Sequence, residues 1–242
     1  MTRVIVSGAA GRMGSLVCAT IDEQPDLELV GRFDPGNDPS QDAAGLPECD
    51  VVVEFTTPDV VMANLGEWRA RGWHAVVGTS GFTENRLAEV GQLFGDGPPN
   101  CLIVPNFSIG AVLSMRFARE AAAHFAAAEV IELHHDHKAD APSGTALATA
   151  RLIAEAGPQS RAFESSELVP GARGASVEGV NVHSVRLSGL VAHQQVILGG
   201  QGETLTIRHD TTDRSAFLPG VLLAVRGIGD LSGLTVGLDA LL

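Results

Sequence analysis

The chain is constrained first by how it begins. Arg3 to Ser7 is a short apolar run, the turn GAAGRMG follows at residues 8–14, and Met13, Leu16, Val17 and Ile21 then recur at helical spacing. The same alternation continues. Strands are expected at Leu27 to Phe33, Asp50 to Phe55, His74 to Gly78 and Cys101 to Val104, with helices at Pro58 to Arg71 and Thr83 to Phe94. Residues 35–49 read as loop. Strands separated by helices cannot pair as tight hairpins, so they form a parallel sheet covered on both faces.

After Asn106 the pattern changes. A long helix is expected over Ile109 to Phe125, a strand over Glu129 to His134 and an Ala-rich helix over Ala146 to Ala156. Residues 157–179 read as an irregular insert. Residues 180–186, 193–198 and 203–208 then alternate with period two, as antiparallel or mixed strands do. A helix over Ala216 to Ile228 and a strand over Leu234 to Leu238 close the chain. The fold class is therefore α/β. A dinucleotide-type (Rossmann-type) parallel-sheet domain spans residues 1–106 and 216–242, and an α+β domain with a mixed sheet, residues 107–215, is inserted in it.

The 242 residues are 45% hydrophobic, enough for one large or two small cores. The net charge of −13 repels phosphate backbones, so no nucleic acid is expected, although a local basic pocket can hold a small anion. Apolar runs such as Val51 to Val53 and Val221 to Val225 are too short to cross a bilayer. The start of the chain lacks the pattern of a signal peptide, and three cysteines without a CxxC pair suit buried thiols in a reducing compartment. The expectation is a cytoplasmic protein without a membrane partner. There are no tyrosines, so any catalytic acid must be another residue type.

A glycine turn from strand to helix lets backbone N–H groups face a pyrophosphate. The spacing here is imperfect: GxGxxG would need glycine at position 9, which is Ala9, and the glycines stand at Gly8, Gly11 and Gly14. Context strengthens it, because Asp34 ends the second strand where a carboxylate can bind a ribose hydroxyl. Arg12 and Arg32 lie nearby and suit a 2′-phosphate, which leaves both NADH and NADPH open. Gly78-Thr79-Ser80-Gly81 and Val104-Pro105-Asn106-Phe107 end the fourth and fifth strands, where ligands of such sheets lie. Thr79, Asn106 and Phe107 either touch the nicotinamide half or serve turn and packing roles.

Residues 132–146, ELHHDHKADAPSGTA, concentrate proton-carrying and anion-binding groups. Pro142 presets a helix start, Ser143 or Thr145 can cap it, and Gly144 allows close approach of a ligand to the backbone. Such a helix N-terminus attracts a carboxylate, Lys138 adds positive charge, and a histidine supplies a proton near neutral pH. A small dianionic substrate that accepts a proton fits this set. A metal site built on His134, His135 and His137 is the alternative, opposed by the adjacent lysine and the lack of a second ligand pair. A purely structural strand end is the third reading.

At these residues the chain resembles the dihydrodipicolinate reductase family. The His-His pair, the lysine three residues after the second histidine and the run DAPSGTA match that family's pattern, as do GAAGRMG at 8–14, GTSGF at 78–82 and VPNFSIG at 104–110. The match spans essentially the whole chain, and AEVIELHH at 128–135 looks most like actinobacterial members. The resemblance implies NAD(P)H-dependent reduction of 4-hydroxy-tetrahydrodipicolinate to tetrahydrodipicolinate, on the diaminopimelate route to lysine, by a cytoplasmic homotetramer assembled through the sheets of the substrate domain. It implies His134 as proton donor and Lys138 as a second donor or charge stabiliser. His135, Ser143, Gly144 and Thr145 would contact substrate. Gly8, Ala9, Ala10, Gly11, Arg12, Met13, Asp34, Gly78, Thr79, Ser80, Val104, Pro105, Asn106 and Phe107 would contact cofactor; no metal is implied. Many relatives carry aspartate at Glu54, which is expected to alter the pocket edge, and a second threonine at Ser80.

Overall fold

The structure is a computed structural model that describes residues 1–36, 41–157 and 166–242, so parts of the expected loop at 35–49 and of the insert at 157–179 lie outside the described residues. The chain divides into two compact units, Met1–Ile109 with Arg214–Leu242, and Gly110–Asp213.

In the first unit, strands β1 (Thr2–Ser7), β2 (Leu27–Phe33), β3 (Val51–Glu54), β4 (His74–Val77), β5 (Cys101–Ile103) and, near the C-terminus, β11 (Leu234–Val236) form one sheet in the order β11-β5-β4-β3-β1-β2. All its pairs are parallel. Helices α1 (Arg12–Asp22), α2 (Val61–Ala70), α3 (Glu84–Phe94) and α6 (Leu218–Gly227) belong to the same unit. Burial on both faces explains why β3 and β4 read as unbroken Val-rich runs rather than alternating ones. Trp68 and Trp73, both fully buried, stack with ring centroids 5.8 Å apart, and Phe33 meets Trp68 edge-on. Strand order reverses between β2-β1 and β1-β3, and the carboxyl ends of strands at such a switch point frame a ligand crevice.

In the second unit, β6 (Ala127–His134), β7 (Ala175–Val177), β8 (Val180–Arg186), β9 (Ala192–Gly200) and β10 (Glu203–Thr211) form a sheet in the order β10-β9-β6-β8-β7. It is mixed: β6 runs parallel to β8 and antiparallel to β9. Helices α4 (Ile109–Ala122) and α5 (Gly144–Ala156) pack Ala118, Ala122, Ala146, Ala150 and Ile153 on Val130, Val182, Val196 and Leu198. These small side chains let the helices lie close on the sheet. The opposite face presents Glu129, Ile131, His183 and Ile197, all half-buried.

Several boundaries move from their expected places. Helix α2 starts at Val61 rather than Pro58, after a turn in which Val60 and Val61 donate to the Thr57 carbonyl. Helix α4 stops at Ala122, and β9 and β10 run longer because they pair with each other over nine residues. The short strand β7 lies in the segment read as irregular. Three residues show no period, and only pairing with β8 defines them. Helix α5 begins two residues early, at Gly144, with Ser143, one of the two expected caps, at its boundary.

Candidate active site

The two groups of expected site residues fall in different units. In the second unit, β6 ends at His134, and positions 132 and 134 point to the same face as the helices. Ser143 caps α5: its Oγ accepts from the Ala146 N–H at 3.2 Å, while Gly144 heads the helix exposed, with open space where a Cβ would stand. Thr149 Oγ1 donates to the Thr145 carbonyl. His134 Nδ1 lies 2.5 Å from Glu132 Oε2, and the Ser143 N–H donates to Glu132 Oε1 at 3.2 Å. One carboxylate therefore touches both the imidazole and the start of the helix. Lys138, mostly buried, donates to both oxygens of the exposed Asp140 at 2.8 Å. His135 has a buried Nδ1 with no partner among the described residues, and His137 is exposed.

The electrostatics follow from this packing. Burial pushes the His134 pKa below its ordinary value; Glu132 pulls it up, and Lys138 and Arg186 push it down further. Burial would raise the Glu132 carboxyl, but donors from Arg186, Ser184 and His134 outweigh it and hold it below the usual range. Lys138 holds Asp140 low. Sequence reasoning missed Glu132 and Arg186 as a pair. Arg186 lies 54 residues from Glu132 and reaches it only through the β6–β8 pairing, which sets His134 opposite Arg186. The unusual feature in the sequence was a charged residue on the helix-facing side of each strand. Among the described residues no group of three or more His, Cys, Asp or Glu is placed to hold a metal ion.

In the first unit the glycine turn joins β1 to α1. Gly8 has φ +79°, and a Cβ there would run into the Phe55 carbonyl; a Cβ on Gly14 would strike the Gly8 carbonyl. These two glycines let strand, turn and helix pack closely. Gly11 is the N-cap of α1 and offers no side chain, so the first-turn N–H groups stand uncapped. Asp34 Oδ2 accepts from the Ala10 N–H at 2.8 Å, which pins the carboxylate to the turn. Arg12 is exposed, whereas Arg32 is engaged with Asp22 at 2.8 Å. Open amides beside a pinned carboxylate fit a dinucleotide's pyrophosphate and ribose.

The remaining expected cofactor residues range from buried to exposed. Ala9, Thr79, Val104 and Phe107 are buried, Met13, Gly78 and Asn106 half-buried, and Ala10, Ser80 and Pro105 exposed. The Gly78 position cannot hold a Cβ because the Phe55 ring lies against it. Phe107 packs inward, its ring 5.5 Å from that of Phe55. Arg86 donates to the carbonyls of Pro58 and Gly81, bracing the turn after β4. Glu54 corrects an expectation: it is fully buried rather than at a pocket edge. Its carboxylate takes the Trp68 indole N–H at 2.9 Å and also engages Thr56 and Asn64.

Comparison with known proteins gives two matches that together cover nearly the whole chain. Residues 2–107 match the family described as dihydrodipicolinate reductase, N-terminus, and residues 110–242 the family described as dihydrodipicolinate reductase, C-terminus. The 4-hydroxy-tetrahydrodipicolinate reductase of Nocardia farcinica is 56% identical over 99% of this chain and 98% of its own length. That of Cutibacterium acnes is 52% identical over 100% and 99%. The structure of dipicolinate-bound dihydrodipicolinate reductase from Paenisporosarcina sp. TG-14 covers all of both chains at 37% identity, with a TM-score of 0.87.

Proposed function

The chain belongs to the dihydrodipicolinate reductase family, and from that premise we propose how its residues divide the reaction. The protein is an NAD(P)H-dependent 4-hydroxy-tetrahydrodipicolinate reductase of the diaminopimelate route to lysine. The nicotinamide cofactor, when bound, supplies the hydride. In our reading the uncapped first-turn amides of Arg12 and Met13 hold its pyrophosphate and Asp34 its ribose, while the Gly11 N–H donates to the Gly8 carbonyl and shapes the turn. Gly8, Ala9, Ala10, the turns Gly78 to Ser80 and Val104 to Phe107 shape the rest of the nucleotide site.

The substrate site is the cluster at the end of β6. Its two carboxylates need two anchors. The Gly144 and Thr145 N–H groups at the α5 N-terminus hold one, and Lys138 holds the other after exchanging its Asp140 partner for it. Ser143 fixes the helix start, and the buried Nδ1 of His135, without a partner among the described residues, is assigned in this reading to a substrate group. His134 delivers the proton that completes the addition, and Lys138 steadies the negative charge that builds up as the hydride arrives. The observation that carries this reading is the single buried carboxylate bonded to both the His134 ring and the Ser143 amide, which sets proton donor and anion site side by side.

The test is NADH and NADPH oxidation with freshly made substrate. The His134→Gln enzyme should lose roughly 10²–10⁴-fold in kcat, the range for a lost general acid, while still binding dipicolinate. Near-full activity would refute the role. The face of the mixed sheet opposite α4 and α5, where Ile131 and Ile197 are half-buried, supports a homotetramer packed sheet to sheet. Light scattering should give four times the 25.2 kDa chain; a monomer mass would refute it.

A further inference from the structure

The reaction scheme gives the half-buried Arg186 and its pairing with the buried Glu132 no chemical task. Glu132 is wholly buried on β6, and donors from Arg186, Ser143, Ser184 and His134 converge on its carboxylate. Oε1 accepts from Arg186 Nη2 at 2.8 Å and from the Ser143 N–H at 3.2 Å; Oε2 accepts from Arg186 Nη1 at 2.8 Å and lies 2.5 Å from His134 Nδ1. An ionised carboxylate only accepts, so Nδ1 of His134 must carry the hydrogen. That leaves Nε2 as the atom that takes up and releases the exchangeable proton.

A buried ion pair adds little net stability, since desolvation of two charges offsets their attraction and apolar residues of similar volume do as well. Stability alone therefore does not account for Glu132 and Arg186. Their other bonds suggest what does. Arg186 also donates to the Val185 carbonyl at 2.8 Å and to the Asp140 carbonyl at 2.6 Å. The pair thus joins β6, β8, the loop that carries Lys138, and the first residues of α5.

We propose that Glu132 is the positioning residue of this site: its carboxylate, neutralised by Arg186, holds His134 as the Nδ1–H tautomer with Nε2 presented for proton transfer, and locks the start of α5 in register with it. The inference rests on the reading of His134 as proton donor. The charged groups facing His134 are Glu132 on its own strand, Arg186 on β8 and Lys138 on the loop, with Asp140 paired to Lys138. Arg186 acts through Glu132 and does not need to touch the substrate.

The decisive variant is Glu132→Gln. Its amide has one accepting oxygen; at the Oε1 position it keeps Arg186 Nη2 and the Ser143 N–H, so the NH₂ takes the Oε2 position, faces the imidazole and favours the Nε2–H tautomer. With a donor against Nδ1 the ring loses the acceptor that its imidazolium form needs, so it no longer takes up and delivers a proton at Nε2, and kcat should fall roughly 10²–10⁴-fold. The Kd for NADH should not change. Nitrogen NMR on ¹⁵N-histidine protein should report Nδ1–H for His134 in the unaltered enzyme and Nε2–H in E132Q. Glu132→Asp keeps an ionised acceptor and should keep the native tautomer and more activity than E132Q. Unchanged kcat in E132Q, or lost kcat with an unchanged tautomer, overturns the proposal. Should E132Q fail to fold, the unaltered enzyme decides: Nε2–H at His134 overturns it and Nδ1–H supports it. A fully active His134→Gln enzyme ends the proton-donor reading and this inference together. An inactive His134→Gln enzyme beside a fully active E132Q ends this inference alone.

Discussion

Single side chains set the terms of the chemistry. His134 is depressed by burial below its ordinary pKa, so the free protein holds it neutral near pH 7. A bound dianion favours the imidazolium and lifts that pKa again. Because kcat/KM reports the free enzyme and kcat the loaded one, both should fall with rising pH, with the kcat/KM midpoint at the lower value. Coincident midpoints in steady-state profiles would argue against the dianion as the agent. Asp34 makes a second case. Its carboxylate already takes the Ala10 amide, so Asp34→Ala removes both a ribose acceptor and a brace on the turn. That variant should weaken NADH more than NADPH, whose 2′-phosphate it would otherwise repel; equal losses of affinity would count against ribose binding. These residues were legible because type and local context sufficed: an acid at a strand end, and histidines next to a helix start. The buried carboxylate of Glu54 was not legible, because its donors Asn64 and Trp68 lie a helix away.

At the level of elements, glycines in the two site-bearing turns act for different reasons. A Cβ on Gly14 collides with the Gly8 carbonyl and Ala9 backbone, so Gly14→Ala should destabilise by roughly 1–3 kcal/mol, as overpacking does, and displace α1 from the nucleotide turn. A Cβ on Gly144 meets nothing, so Gly144→Ala should leave the melting temperature unchanged or slightly higher while raising KM. An unchanged KM would show that no ligand approaches the backbone there. Ser143→Ala loses the α5 cap and should cost about 1 kcal/mol. Chemical denaturation separates these cases. Element identity was readable from hydrophobic period, and the ends less so. The capped starts of α3 and α5 lie within two residues of expectation, where Thr83 and Ser143 accept first-turn amides. The α2 start moved to Val61, because no side-chain cap marks it.

For the whole molecule, burial lowers His74, His134 and His209 together, so the folded state binds protons at these rings less readily than the unfolded chain. Their contribution to stability is fully present above about pH 6.5, the unfolded value, and is lost as pH falls through the folded values. Urea midpoints should therefore be flat from pH 8 to 7 and decline below it; a flat profile down to pH 5 would contradict this. The sequence by itself determined the parallel sheet, the mixed sheet inserted after it, the nucleotide turn and the histidine–lysine cluster, since each follows from spacing within about fifteen residues and from side-chain period. Only the tertiary structure decided that Glu132 and Arg186 meet beneath His134. Strand partners, and hence which charges share a buried face, are chosen by pairing between segments half a domain apart, and no local pattern along the chain encodes that choice.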